Sequence, residues 1–473
     1  MLKRRLHLIF KREESDQQVS FKFLLLLAIG LHLTMTMSVY FAGRFSLFPH
    51  ILSPNGSIAD DSYIYHREAV QLVRILKQDG IAAWVNAAPQ FHVKLYSLSF
   101  ALFGPWLGFN TLSFEFLNLL FYLAILGLVF KVGQEVFDQR VGLLAAGTVA
   151  LWPSFLLLTT QPLRDPLFIT AMLTLILINV RWLTRAHAWH RGLLFSAIGA
   201  VASIILWLVR RQSWEVALIM VFIGSVLLVI RLIRERQILS GNLIGVLLLF
   251  LVIFFLPRIF PVAQRPAPVQ ARPSDSISVA ESNTTPDSSQ QMMPPPERPA
   301  SVWGYLPYRI AALRYKFIRG YPDNSSNMDT NVQFTSMGDI IRYLPRAATI
   351  GFFAPFPNMW FTGTDSSSRI RRILSGYETS MMYVFEMLGL FALWQGRRRL
   401  PIWFLCLTAL VGVMALGLVV VNIGTLYRMR YVFWMLLIVL GMKGAVQLFS
   451  IWSAKVKSKL DEPLSSAQSV SAN

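Results

Sequence analysis

Long apolar runs separated by short polar links constrain this chain more than any other feature. Each run holds about 20 residues, the length a helix needs to cross the ~30 Å hydrocarbon core of a bilayer. In lipid, backbone polar groups must bond within a helix or around a closed barrel. Barrel strands alternate polar and apolar residues over short segments, and these runs do not alternate. The sequence therefore predicts an all-α membrane protein with about ten transmembrane helices, near 23–42, 113–130, 141–160, 166–181, 192–209, 214–230, 240–257, 378–394, 401–421 and 430–450. Only 15% of the 473 residues are charged, against about 25% in soluble proteins.

The formal net charge is +19. Its basic residues cluster between the apolar runs, which is the positive-inside pattern and tracks anionic lipid. No recognition motif of a nucleic-acid-binding module is present, so no nucleic-acid partner is expected. Lys3, Arg4, Arg5, Lys11, Arg12 and Lys22 place the N-terminal segment 1–22 in the cytoplasm, ahead of an uncleaved first helix. Residues 92–110 are apolar but interrupted by Gly104, Pro105 and Gly108, and are expected to lie along the outer interface. With that parity, Lys131, Arg140, Arg181, Arg185, Arg191, Arg231, Arg234, Arg236 and Arg397 to Arg399 all fall inside, with the tail lysines. A spanning 92–110 would move several of these clusters outside.

The expected organisation is then a transmembrane core at 23–260 with a first outer loop at 43–112. A Pro/Ser-rich linker at 261–300 has nine prolines, a composition that predicts disorder. A second outer-loop region at 301–376 contains an apolar stretch, Ile340 to Phe361, broken by Pro345, Pro355 and Pro357, which suits a re-entrant or interfacial element. C-terminal helices at 377–450 and a cytoplasmic tail at 451–473 complete the chain. The localisation expected is a multi-pass integral membrane protein, in the plasma (inner) membrane if the source is bacterial. The one cysteine, Cys406, permits no intrachain disulfide, and the seven histidines show no HExxH spacing. No metal ligands are assigned, and a divalent metal is left open. Asn55, Asn283 and Asn324 match glycosylation acceptors.

Four sets of polar residues are expected at the outer ends of helices. Asp60 and Asp61 precede a helix at 62–79 that has Ala69, Leu72, Val73 and Leu76 on one face, with Tyr65 and His66 beside them. Asp61 is either an N-cap or a general base at the membrane surface. Arg164-Asp165-Pro166 starts a helix well, with Asp165 as N-cap and Pro166 in the first turn. Yet it lies on the same side as the first acidic pair. Arg210 and Arg211 oppose the positive-inside bias; guanidinium forks suit a phosphate, and Glu215 is the alternative partner. Arg428 and Arg430 again put arginines outside, as phosphate ligands or interfacial anchors. Lys94 is a weaker fifth member.

The order and side of these features resemble the GT-C superfamily of membrane glycosyltransferases, in particular its ArnT/PMT-like members, which use polyprenyl-phosphate sugars. The resemblance rests on Ala59-Asp60-Asp61-Ser62-Tyr63-Ile64-Tyr65-His66, then Phe91-His92-Val93-Lys94-Leu95-Tyr96 leading to Leu102-Phe103-Gly104, then Arg164-Asp165-Pro166. Lys131 to Gly142 looks like the family's cytoplasmic link, and Arg210-Arg211 sits where many members carry a basic residue. It covers residues 20–260 best. It implies a GT-C-like helix arrangement with outer juxtamembrane helices, a catalytic base at Asp61 or Asp60, and inverting transfer. Asp165 would assist, and His66, Lys94, Arg164, Arg210, Arg211, Arg428 and Arg430 would bind substrate. Implied partners are the bilayer, a polyprenyl-phosphate-linked sugar donor, and a glycan, lipid or protein acceptor, in cell-envelope glycan or glycolipid assembly. The chain departs from the family in its Asp-Asp-Ser and in ending with three helices instead of a soluble domain. Three rival readings stay open: a polysaccharide polymerase or ligase, a flippase or transporter of lipid-linked sugars, and a non-catalytic scaffold.

Overall fold

The structure, a computed structural model, describes residues 2–49, 51–58, 60–260, 304–320, 326–362 and 366–470, with side chains at 20–456 within those segments apart from Asp60 and residues 366–368. The linker 261–300, Asn283 and Asn324 lie outside the described residues. The described residues form helices and no strand. The first is α1 (Leu2–Arg44); the segment expected as the first outer loop holds α2 (Asp60–Gln78), α3 (Gly80–Asn86) and α4 (Phe91–Leu107). The core continues with α5 (Glu115–Val136), α6 (Gln139–Ala150), α7 (Pro153–Thr159), α8 (Asp165–Thr184), α9 (Trp189–Val209), α10 (Trp214–Glu235) and α11 (Ser240–Ile259). Then come α12 (Tyr305–Gly320), α13 (Met337–Phe353), α14 (Ser366–Gly396), α15 (Leu400–Val419), α16 (Ile423–Met429) and α17 (Tyr431–Val470).

Eight helical segments are long and apolar enough to cross a membrane, or nine when α6 and α7 are counted as one broken span. The chain is a multi-pass helical membrane protein. The expected span at 141–160 is not a single helix: α6 and α7 meet at 69°. Pro153 has no N–H to close the turn and its ring crowds the preceding turn, which favours a break there. The break stays bonded, because Tyr122 donates to the freed Ala150 carbonyl at 2.8 Å and Ser154 N donates to Glu378 at 2.7 Å. The stretch 378–394, also expected to span, is part of α14; it carries Glu378 and Glu386 and falls short of the apolar content of the eight. It packs closely along α17, where a Cβ on Gly444 would fall 2.0 Å from the Leu388 carbonyl.

The chain ends of these helices sort into two sets. Arg234 donates to the Arg398 carbonyl at 2.9 Å, Arg399 to that of Val136 at 2.6 Å, and Arg185 pairs with Glu135 at 2.6 Å. The loops expected to be cytoplasmic therefore meet at one end. Helix α8 runs from Asp165 to Thr184, about 30 Å at 1.5 Å per residue, so Asp165 lies at the opposite end. There α2 and α4 pack on each other through Tyr65, Ala69, Leu72, Val73, Val93, Tyr96 and Phe100. Helix α4 has 17 residues and is not among the spans; it ends at Gly108, whose φ of 79° suits glycine. The apolar stretch 340–361 splits into α13 and a 3-10 turn at Pro357–Met359, with α13 buried against α15 through Ile340, Ala347 and Ile350.

Candidate active site

Two polar anchors hold the loop at 43–112 to the link between α7 and α8. Gln161 is buried; its Oε1 accepts from Ile58 N at 3.0 Å and Ser62 Oγ at 2.8 Å, and its Nε2 donates to Gly56 O at 3.1 Å. Tyr96 OH reaches Asn118 Oδ1 at 2.9 Å and Leu163 O at 3.1 Å. These bonds set the start of α2 beside the start of α8.

The residues expected from four separate sequence sets converge there. Asp61 stands in the first turn of α2 and pairs with Arg428 Nη2 of α16 at 2.9 Å; both side chains are about one-fifth exposed, at 23% and 21%. Its carboxylate faces this guanidinium and not its own helix amides, so the N-cap reading fails. Asp165 is the first residue of α8 and not its cap, which is Arg164 without a capping hydrogen bond. The Asp165 carboxylate accepts from Arg210 Nη2 at 2.8 Å, with both residues almost fully buried, 4% and 3% exposed. Arg210 also lies over the Phe168 ring at 4.9 Å. Burial pulls the Arg210 guanidinium down to about 10, against the attraction of Asp165, so it stays charged at neutral pH. Arg428 and Arg164 also attract the Asp165 carboxylate. Arg164 makes no ion pair among the described residues. Three guanidiniums thus meet two carboxylates among the described side chains. The side chain of Asp60 lies outside the described residues.

Other expected site residues sit elsewhere or do other work. His66 is locked into the loop fold: Nε2–H donates to Phe109 O at 3.0 Å and Nδ1 accepts from Asn55 Nδ2 at 3.1 Å. Burial lowers its pKa, with the Phe109 carbonyl opposing. Lys94 donates to the Val85 carbonyl and stands over Trp84. Arg211 turns away from Arg210, exposed beside Trp207. The alternative partner Glu215 serves neither; it pairs with Arg309 of α12 at 2.9 Å. Arg430 is fully buried, stacked on Trp434 at 3.9 Å and donating to Gly351 O at 3.0 Å.

The sequence reading did not single out His92 as a site residue. It is 1% exposed, edge-on to Tyr65 at 4.5 Å, and neither ring nitrogen has a hydrogen-bond partner in the structure. Burial pushes its pKa down to about 3, with Arg164 and Arg210 adding to the shift and Asp165 opposing it. A second missed group is the buried contact of His32 Nδ1 with Glu115 Oε1 at 2.7 Å. Among the described residues no three or more His, Cys, Asp or Glu side chains gather as a metal site.

No family model and no curated protein matches the sequence. Among solved structures, the oligosaccharyltransferase of Archaeoglobus fulgidus, in its apo form, is similar over 91% of this chain at 14% identity, with a TM-score of 0.46. The chain spans about half of that protein, 52% of its length. A likeness at that level decides neither the fold nor the activity of this chain.

Proposed function

We propose that the chain is a membrane glycosyltransferase that moves a sugar from a polyprenyl-phosphate donor to an acceptor hydroxyl on the non-cytoplasmic face. The observation that carries this reading is the convergence of three arginines on a partly exposed carboxylate: Arg164, without an ion pair among the described residues, stands next to Asp61–Arg428 and Asp165–Arg210. A donor phosphate is met by Arg164 and by Arg428, whose fork suits two phosphate oxygens. As Arg428 turns to phosphate, it frees the Asp61 carboxylate. The acceptor oxygen then attacks the anomeric carbon, its proton passes to Asp61, and the sugar–phosphate bond breaks with its electron pair staying on polyprenyl phosphate. The leaving group is already anionic and arginine-bound, so it needs no general acid. One base on the face opposite the leaving group gives inversion. Arg210, buried and bonded to Asp165, sets the charge of the site from behind and does not take the phosphate. The ArnT/PMT-like resemblance, a cell-envelope role and a cytoplasmic N-terminus belong to the same proposal.

The test is to incubate purified protein with polyprenyl-phosphate sugars and a panel of acceptors, measuring sugar transfer or release, with Asp61→Asn as the paired variant. Transfer by the wild type and its loss in Asp61→Asn is the expected result. Equal turnover by both rejects the mechanism and favours the scaffold or transporter reading. Orientation is tested in a Cys406→Ser background with single cysteines at Gln71, exposed on α2, and at Gln237, exposed between α10 and α11. A membrane-impermeant thiol reagent should label Gln71→Cys from the non-cytoplasmic side only and Gln237→Cys from the cytoplasmic side only. The reverse pattern inverts the topology.

A further inference from the structure

The carboxylate of Glu378 on α14 is fully buried and collects three donors from two distant elements. Its Oε1 accepts from Ser154 N at 2.7 Å, and its Oε2 accepts from both Ser154 Oγ and Tyr427 OH. Ser154 is in the first turn of α7, just past the break at Pro153. Tyr427 is in α16, next to Arg428. A carboxylate at this depth is costly unless its lone pairs are filled, and here they are. Healing the break alone requires only the bonds to Ser154. The third bond reaches across to α16, a seven-residue helix that could not hold its own shape. Further hydrogen bonds hold the two ends of α16. Asn422 caps Thr425 N at 3.0 Å and meets the 326–328 segment, and Arg430 donates to Gly351 O. Helix α7 in turn ends five residues before Arg164.

We infer that Glu378 is a positioning residue that fixes α7 and α16 to one point, so that Arg428 meets Asp61 and the Arg164-Asp165 turn keeps its place. The link to catalysis rests on the glycosyltransferase reading above; the positioning itself does not. Tyr427→Phe removes only the arm to α16, Ser154→Ala removes the hydroxyl arm of α7, and Glu378→Gln alters both. Each is made in the wild type and in an Arg428→Ala background. Transfer from polyprenyl-phosphate sugar is measured together with hydrogen–deuterium exchange of the 423–430 and 153–165 peptides. Tyr427→Phe should lower kcat/KM roughly 10-fold in the wild type and less than about 2-fold without Arg428, because coupled residues do not add. Exchange should quicken at 423–430 in Tyr427→Phe and at both peptides in Glu378→Gln. An equal activity loss in both backgrounds, or unchanged exchange at 423–430, overturns the inference. If Arg428→Ala transfers sugar normally, the glycosyltransferase mechanism fails, and the exchange data still decide whether Glu378 positions α16. Tyr427→Phe keeps the test open if Glu378→Gln does not fold.

Discussion

Two Asp–Arg pairs of nearly equal length stand side by side at one end of this bundle, and their surroundings differ. Asp165–Arg210 is sealed, with both side chains under one-tenth exposed; Asp61–Arg428 is reached by solvent from both partners. A sealed pair cannot open cheaply, since each charge depends on the other for the solvation it has lost. A solvent-reached pair is worth only about 0.2–1 kcal/mol, so a ligand with a stronger claim on either partner can open it. Length therefore does not separate a fixed pair from a working one. Burial does.

Breaking the sealed pair tests this contrast most strongly. Arg210→Ala leaves a buried carboxylate uncompensated, and Asp165→Asn a buried guanidinium; either should cost roughly 3–5 kcal/mol of stability. A detergent-solubilised melting curve reads the effect, and the double variant Asp165→Asn/Arg210→Gln should recover part of it. Wild-type melting of Arg210→Ala would mean that the two pairs do not differ as argued. The open pair should behave in the opposite way. Asp61→Asn is expected to lower turnover by about 10²–10⁴-fold while melting close to wild type. A large loss of stability would assign Asp61 to the scaffold. Next in size is Arg428→Ala, which should weaken the donor by roughly 1.5–3 kcal/mol in apparent affinity. Lys at 428 should restore charge without the fork; full rescue by Lys would remove bidentate binding from the account.

The smallest effect sharpens the contrast from the neighbouring His92. Its unfolded-state pKa is 6.5 and its folded value is pushed down to about 3. The unfolded chain therefore takes up a proton that the folded chain refuses. The stability contributed by neutral His92 is complete above about pH 6.5 and is lost as pH falls toward about 3. His92→Gln should flatten the fall in melting temperature between about pH 7.5 and about pH 5. Some slope should remain, because His66 is shifted the same way. An unchanged slope would show that His92 titrates as if exposed.

Most of the spans were legible because lipid imposes length and apolarity on each one separately. The partners within the site were less so, because they depend on where helices begin. Arg211 and Glu215 are four residues apart but not on one α-helix: Arg211 lies in a 3-10 turn and α10 starts at Trp214, so the expected i,i+4 pair has no geometry. Residues one or two apart on a turn or helix point apart as well, which sends Arg211 outward beside a buried Arg210 and Arg430 inward beside Arg428. The acids of both loops and one arginine from each later pair do meet. The groups that bring them together were not visible. Nothing in the sequence marks Gln161 or Tyr96 as an anchor, since each bonds to residues far along the chain. Pro153 did mark the broken span, and reading 141–160 as one helix passed over it.

Gln161 also sets a waiting time. Its bonds to Gly56, Ile58 and Ser62 join residues 99–105 positions apart. A ribosome adding roughly 5–20 residues per second needs about 5–20 s to extend the chain from the first outer loop to that glutamine. Throughout that interval the 43–112 loop is already made but lacks the Gln161 partner of its Gly56, Ile58 and Ser62 groups. It gains its anchor only when α7 has been synthesised and the turn beyond it has been delivered to the same face of the membrane.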